Sequence, residues 1–87
     1  MNPSVNHTMH QTLLDLLRAI QPDADFAAST DFLEDGLIDS VDVIMVTAAL
    51  EKEFGISVPG DQITPENYAS LESLAALVAR CRQGRPG

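Results

Sequence analysis

Asp39-Ser40-Val41-Asp42-Val43-Ile44-Met45-Val46-Thr47-Ala48-Ala49-Leu50-Glu51-Lys52-Glu53-Phe54-Gly55 is the stretch that decides how this chain folds. It opens on residues that favour helix N-caps and closes on a glycine suited to a left-handed C-terminal cap, so the spacing predicts a helix from Asp39 or Ser40 to Phe54. At about 100° per residue, Val43, Val46, Thr47, Leu50 and Phe54 share one side, whereas Val41, Ile44, Met45 and Ala48 fall on nearly the opposite side. Asp42 and Glu53 border the second apolar face on one flank and Glu51 on the other, with Lys52 interrupting it. A helix with a single core-facing stripe has no need of a second apolar face. Either this helix is sandwiched inside the domain, or the second face is left open for a partner. In so short a chain few other helices are available to cover both sides, and exposure is the expectation.

Upstream, Met9, Leu13, Leu16, Leu17 and Ile20 repeat at helical spacing until Pro22 ends the pattern, which predicts a first helix. Residues 22 to 39 form a long first loop whose Phe26, Phe32, Leu33 and Leu37 should pack on the domain, with Ser29 or Thr30 able to cap a short turn. Downstream, Thr64-Pro65-Glu66 reads as a cap, a first-position proline and a first-turn acid, predicting a very short helix that reaches Tyr68. Ser70 caps a last helix with Leu71, Leu74, Val78 and Cys81 on one face. Gly55-Ile56-Ser57-Val58-Pro59 alternates too briefly to make a strand. The expected fold is all-α, a small antiparallel four-helix bundle with three longer helices, one short third helix and a long first loop. One domain over 8–82 is expected, flanked by a flexible N-terminus at 1–7 and a flexible tail at 83–87.

With 87 residues, 45% of them hydrophobic, the chain has material for one small core. A domain this size is better suited to binding or carrying than to housing a deep catalytic cleft. All 13 acidic residues lie in residues 1 to 79, against only Arg18 and Lys52, and the chain's formal net charge is -8. Such a surface repels nucleic acid and anionic membranes, attracts partners with basic docking surfaces, and favours a monomer. The start lacks the basic flank and apolar run of a secretory signal, so a cytoplasmic location is expected, and the Asn6-His7-Thr8 sequon is read as accidental. The lone Cys81 is read as a small core residue.

Asp35-Gly36-Leu37-Ile38-Asp39-Ser40-Val41-Asp42 resembles the attachment motif of acyl carrier proteins, in which Asp-Ser-Leu precedes the recognition helix. Glu51-Lys52-Glu53-Phe54-Gly55-Ile56-Ser57-Val58-Pro59 is similar to the family's Glu-rich helix end, aromatic residue and proline-closed apolar loop. The likeness in type and order extends over about residues 8 to 82. It implies that Ser40 receives 4′-phosphopantetheine from coenzyme A through a phosphopantetheinyl transferase, and that the arm's thiol holds an acyl or aminoacyl group as a thioester. It further implies an adenylate-forming ligase or acyltransferase that loads the arm, a downstream synthase or transferase, and no catalysis by the chain itself. The position agrees physically, because a phosphodiester at a helix N-terminus meets unpaired N–H groups and the positive end of the dipole. Gly36 lets the preceding loop turn tightly, and Asp39 is expected to cap the helix. The docking face is expected to comprise Val41, Asp42, Ile44, Met45, Ala48 and Glu51. Val41 in place of leucine, the apolar Ile44-Met45 and the pair Leu37-Ile38 depart from the fatty-acid type. They look more like free-standing carriers of amino-acid and secondary-metabolite biosynthesis.

Four other readings compete. An Asp-Ser pair at a helix start is most often an ordinary cap. Asp31, Asp35, Gly36, Ile38 and Asp42 fall at five positions of an EF-hand loop, but Leu33 occupies position three, Asp42 stands where a bidentate Glu belongs, and no second loop pairs with it. A non-covalent acidic docking module would use the same second face of the helix without any arm. An enzyme would need a base near Ser40, and the only histidines, His7 and His10, lie at the far end of the sequence and suggest no metal site.

Overall fold

A computed structural model describes residues 5–83 of the chain, with side chains from Met9 to Arg82. Three α-helices are present among these residues: α1 (Val5–Ile20), α2 (Ser40–Phe54) and α3 (Leu71–Gln83). Two single 3₁₀ turns, Phe26–Ala28 and Gly60–Gln62, lie in the connections. There is no strand among the described residues. α1 is the common partner, packing against both α2 and α3. It begins at Val5, three residues before the expected start of the domain, while residues 1–4 and 84–87 of the expected flexible ends lie outside the described residues.

The apolar face of each helix meets at one core. Leu13 and Leu17 from α1, Val46 and Leu50 from α2, and Leu74, Leu77, Val78 and Cys81 from α3 are all buried. The long first loop contributes Phe26, Phe32 and Ile38, with the two rings edge to face at 5.1 Å between centroids. Such pairs add roughly 0.5–1.5 kcal/mol to the gain from burial. Backbone bonds secure the loop: Phe32 N–H donates to Ala69 O at 2.7 Å, and Leu37 N–H donates to Phe32 O at 2.8 Å. Gly36 turns the chain there with φ 73°, the left-handed region that a side chain disfavours.

The expected short third helix is instead one hydrogen-bonded turn over residues 65–68, so three α-helices, not four, are present among the described residues. Asn67 N–H donates to Thr64 O, and Tyr68 N–H is shared between Thr64 O and Pro65 O. Propagation stops because Tyr68 turns into the core. It is fully buried, with its hydroxyl 2.5 Å from Thr47 Oγ1. Thr47 gives its single proton to Val43 O at 2.8 Å, so the phenol O–H is the donor to Thr47. Burial raises the Tyr68 pKa above its ordinary value. Ser70 caps α3, accepting from Ser73 N–H at 3.1 Å while Ser73 Oγ accepts from Ser70 N–H at 3.0 Å. No helix among the described residues is long and apolar enough to cross a membrane.

Candidate functional site

The N-terminus of α2 is built by a reciprocal cap. Asp39, in extended conformation, accepts from Asp42 N–H through Oδ1 at 2.9 Å, and Asp42 Oδ2 accepts from Asp39 N–H at 3.2 Å. Gln21, just past the end of α1, donates from Nε2 to the same Asp42 oxygen at 2.9 Å. Ile38, buried immediately before the cap, anchors the entering chain. Ser40 is therefore the first residue of a helix whose start is held by its own cap, by α1 and by the core.

Ser40 is exposed, and its hydroxyl takes no part in these bonds. The N–H groups of Ser40 and Val41 have no acceptor within the helix, as at any helix start, and such groups favour an anion. Beside Ser40 opens a hollow of about 310 Å³ lined by Leu33, Val43, Ile44, Ile63, Thr64 and Pro65, together with Ser40 itself. An accessible hydroxyl, a helix N-terminus and an adjoining apolar wall suit a phosphodiester followed by a flexible chain. Asp39 contributes here as the cap.

Along α2, the side with Val46, Thr47 and Leu50 is buried, with Val43 and Phe54 packed against the core. Val41 is 62% exposed, Ile44 68% and Met45 46%, and Ala48 is also exposed. Two of the acids expected on the rim behave otherwise. Asp42 is only 7% exposed, because its carboxylate is spent on Asp39 and Gln21. Glu51 is half-buried and accepts from Val58 N–H through Oε2 at 2.9 Å, closing the loop after the left-handed Gly55 (φ 65°). Glu53 remains exposed. Ile63, 39% exposed, extends the apolar surface beyond α2 onto the 60–65 loop. Nothing in the local pattern around Gln62-Ile63-Thr64-Pro65 marks it as a neighbour of Ser40; only the packing of that loop brings it there.

The acids of the calcium-like pattern accept hydrogen bonds from the loop and from the cap of α2. Asp31 Oδ1 accepts from Leu33 and Glu34 N–H, Asp35 Oδ2 accepts from Ser29 Oγ at 2.6 Å, and Asp42 serves the cap. Among the described residues no three His, Cys, Asp or Glu side chains come together as a metal site. His10 is half-buried in α1, and the His7 side chain lies outside the described residues.

Comparison with known proteins adds an independent line. Residues 7–78 match the family described as "Phosphopantetheine attachment site". The chain is similar to aminoacyl carrier protein 1 of Bradyrhizobium diazoefficiens, 34% identical over 55 residues, which span 63% of this chain and 60% of that relative. It is also similar to the D-alanyl carrier protein of Lactococcus lactis subsp. cremoris, 29% identical over 72 residues, 80% of this chain and 91% of that relative. No solved structure matches.

Proposed function

The chain belongs to the phosphopantetheine attachment-site family and carries a covalent 4′-phosphopantetheine group, and we propose that this arm is attached to Ser40 and holds an aminoacyl or other acyl cargo for partner enzymes. The supporting observation is the position of Ser40, whose accessible hydroxyl stands at the capped N-terminus of the helix with the exposed apolar face. The arm, when bound, supplies the thiol that holds cargo as a thioester. The chain's own residues hold the serine still, leave two backbone N–H groups for the phosphate, and present a surface to arriving proteins. The names of both relatives favour an amino acid as cargo.

The partner sequence is a phosphopantetheinyl transferase, an adenylate-forming ligase or acyltransferase, and a downstream synthase or transferase, in a monomeric cytoplasmic carrier that performs no catalysis itself. Val41, Ile44, Met45, Ala48 and Ile63 form the docking surface. Partners with basic rims are favoured by the acidic composition.

Incubation with coenzyme A and a broad-specificity phosphopantetheinyl transferase, followed by intact and tryptic mass measurement, tests the assignment. The arm is expected on the peptide from Ala19 to Lys52 and is lost in Ser40→Ala. If the wild-type peptide gained no mass, the attachment reading would fall and the non-covalent docking module would stand in its place.

A further inference from the structure

Arg80 lies on α3, outside the surface described above, yet its guanidinium reaches the loop that walls the hollow beside Ser40. A single nitrogen, Nη2, donates to Gln62 Oε1 at 3.1 Å and to Asn67 Oδ1 at 3.0 Å. Asn67 Nδ2 donates in turn to the Gln62 backbone carbonyl at 2.7 Å, and Asn67 N–H to Thr64 Oγ1 at 3.3 Å. Ile63, Thr64 and Pro65 lie between the two residues that Arg80 holds together, and all three line the hollow.

We propose that Arg80 is a positioning residue for the surface around Ser40. By clamping Gln62 to Asn67 from α3, it sets where Ile63, Thr64 and Pro65 stand and therefore how well a protein approaching Ser40 fits. The inference rests on the reading of Ser40 as the attachment site. The acceptors are neutral amide oxygens, so the contact supplies shape to the loop and not merely a cancelled charge. A cation of the same sign two residues on provides the contrast: the Arg82 guanidinium lies 5.3 Å from the centroid of the Phe54 ring and makes no bond to the loop.

The test is steady-state attachment of the arm by a broad-specificity phosphopantetheinyl transferase with the full-length carrier as the varied substrate. Arg80→Ala is expected to raise KM for the carrier about three- to tenfold, with kcat within about twofold of wild type, as the loss of one or two charge-assisted bonds implies. Arg82→Ala makes the same change in charge and should leave KM near wild type. Arg80→Lys, a single-point donor, should fall between. Asn67→Ala and Arg80→Ala together should cost less than the sum of the two separate changes, because they share the bond between Arg80 and Asn67. Amide chemical shifts of residues 62–67 should move in Arg80→Ala, with the thermal midpoint nearly unchanged. An unchanged KM, an equal rise with Arg82→Ala, or a rise that only tracks lost stability overturns the role of Arg80 while leaving Ser40 in place. A wild-type chain that takes no arm removes both readings.

Discussion

Replacing Asp42 with alanine distinguishes a carboxylate that meets partners from one that holds the helix. In the structure Asp42 Oδ2 accepts from Asp39 N–H at 3.2 Å and from Gln21 Nε2 at 2.9 Å, in a residue 7% exposed. Hydrogen bonds to a charged group contribute about 1.5–3 kcal/mol each when well made. The longer bond here and the partial access of water to Gln21 place each near or below the lower end of that range. The acid's interaction with the helix dipole adds roughly 0.3–1 kcal/mol. Because the contributions share one carboxylate they do not add fully, and about 2–3 kcal/mol is expected for the loss. In a domain of this size 1 kcal/mol moves the midpoint by about 4–8 °C, so Asp42→Ala should lower it by roughly 10–20 °C. Thermal and urea unfolding followed by circular dichroism measure this directly. Asp42→Asn keeps one carbonyl acceptor and should lose less than half as much. A variant of wild-type stability that nonetheless binds the transferase poorly would return Asp42 to the docking rim and refute this reasoning.

The two faces of α2 make a matched pair: Leu50→Ala truncates a fully buried side chain and should cost about 2–5 kcal/mol, whereas Met45→Glu on the open face should change stability by less than about 0.5 kcal/mol while impairing loading by partners. Equal unfolding of the two by circular dichroism would mean that the outer face is not open. Tyr68, the chain's single tyrosine, titrates above its ordinary value, so in the folded protein it stays protonated where the unfolded chain already ionises. Its contribution is complete below the unfolded pKa of 10.0 and is lost as the pH climbs through the folded value. Ultraviolet titration should show the phenol ionising late, and Tyr68→Phe should flatten the alkaline decline in stability at the cost of about 1 kcal/mol from the lost bond to Thr47.

The three long helices were legible because their signals are local. Repeats of three and four residues, Ser70 as a cap and Gly55 as a left-handed stop each act within one or two turns of chain, and each forms as its local chemistry dictates. The same locality misled at Thr64-Pro65-Glu66. Those residues do start a turn, but burial of Tyr68 against Thr47 draws the chain inward before a helix can propagate.

The two faces of α2 could be drawn from periodicity alone, and with them the place of Ser40 at the helix start. Which of its acids remain on the surface could not, because that depends on groups distant in sequence: Gln21 takes up Asp42, and Val58 takes up Glu51. Tertiary packing alone also brought Ile63 and Pro65 beside Ser40, and set Arg80 behind them as the clamp on their loop. Local chemistry determined where this protein's helices begin and end, because caps and apolar periods act over a few residues. Packing decided which charges are free and what surrounds the serine, because hydrogen bonds and apolar contacts between distant segments exist only once the chain has closed on itself.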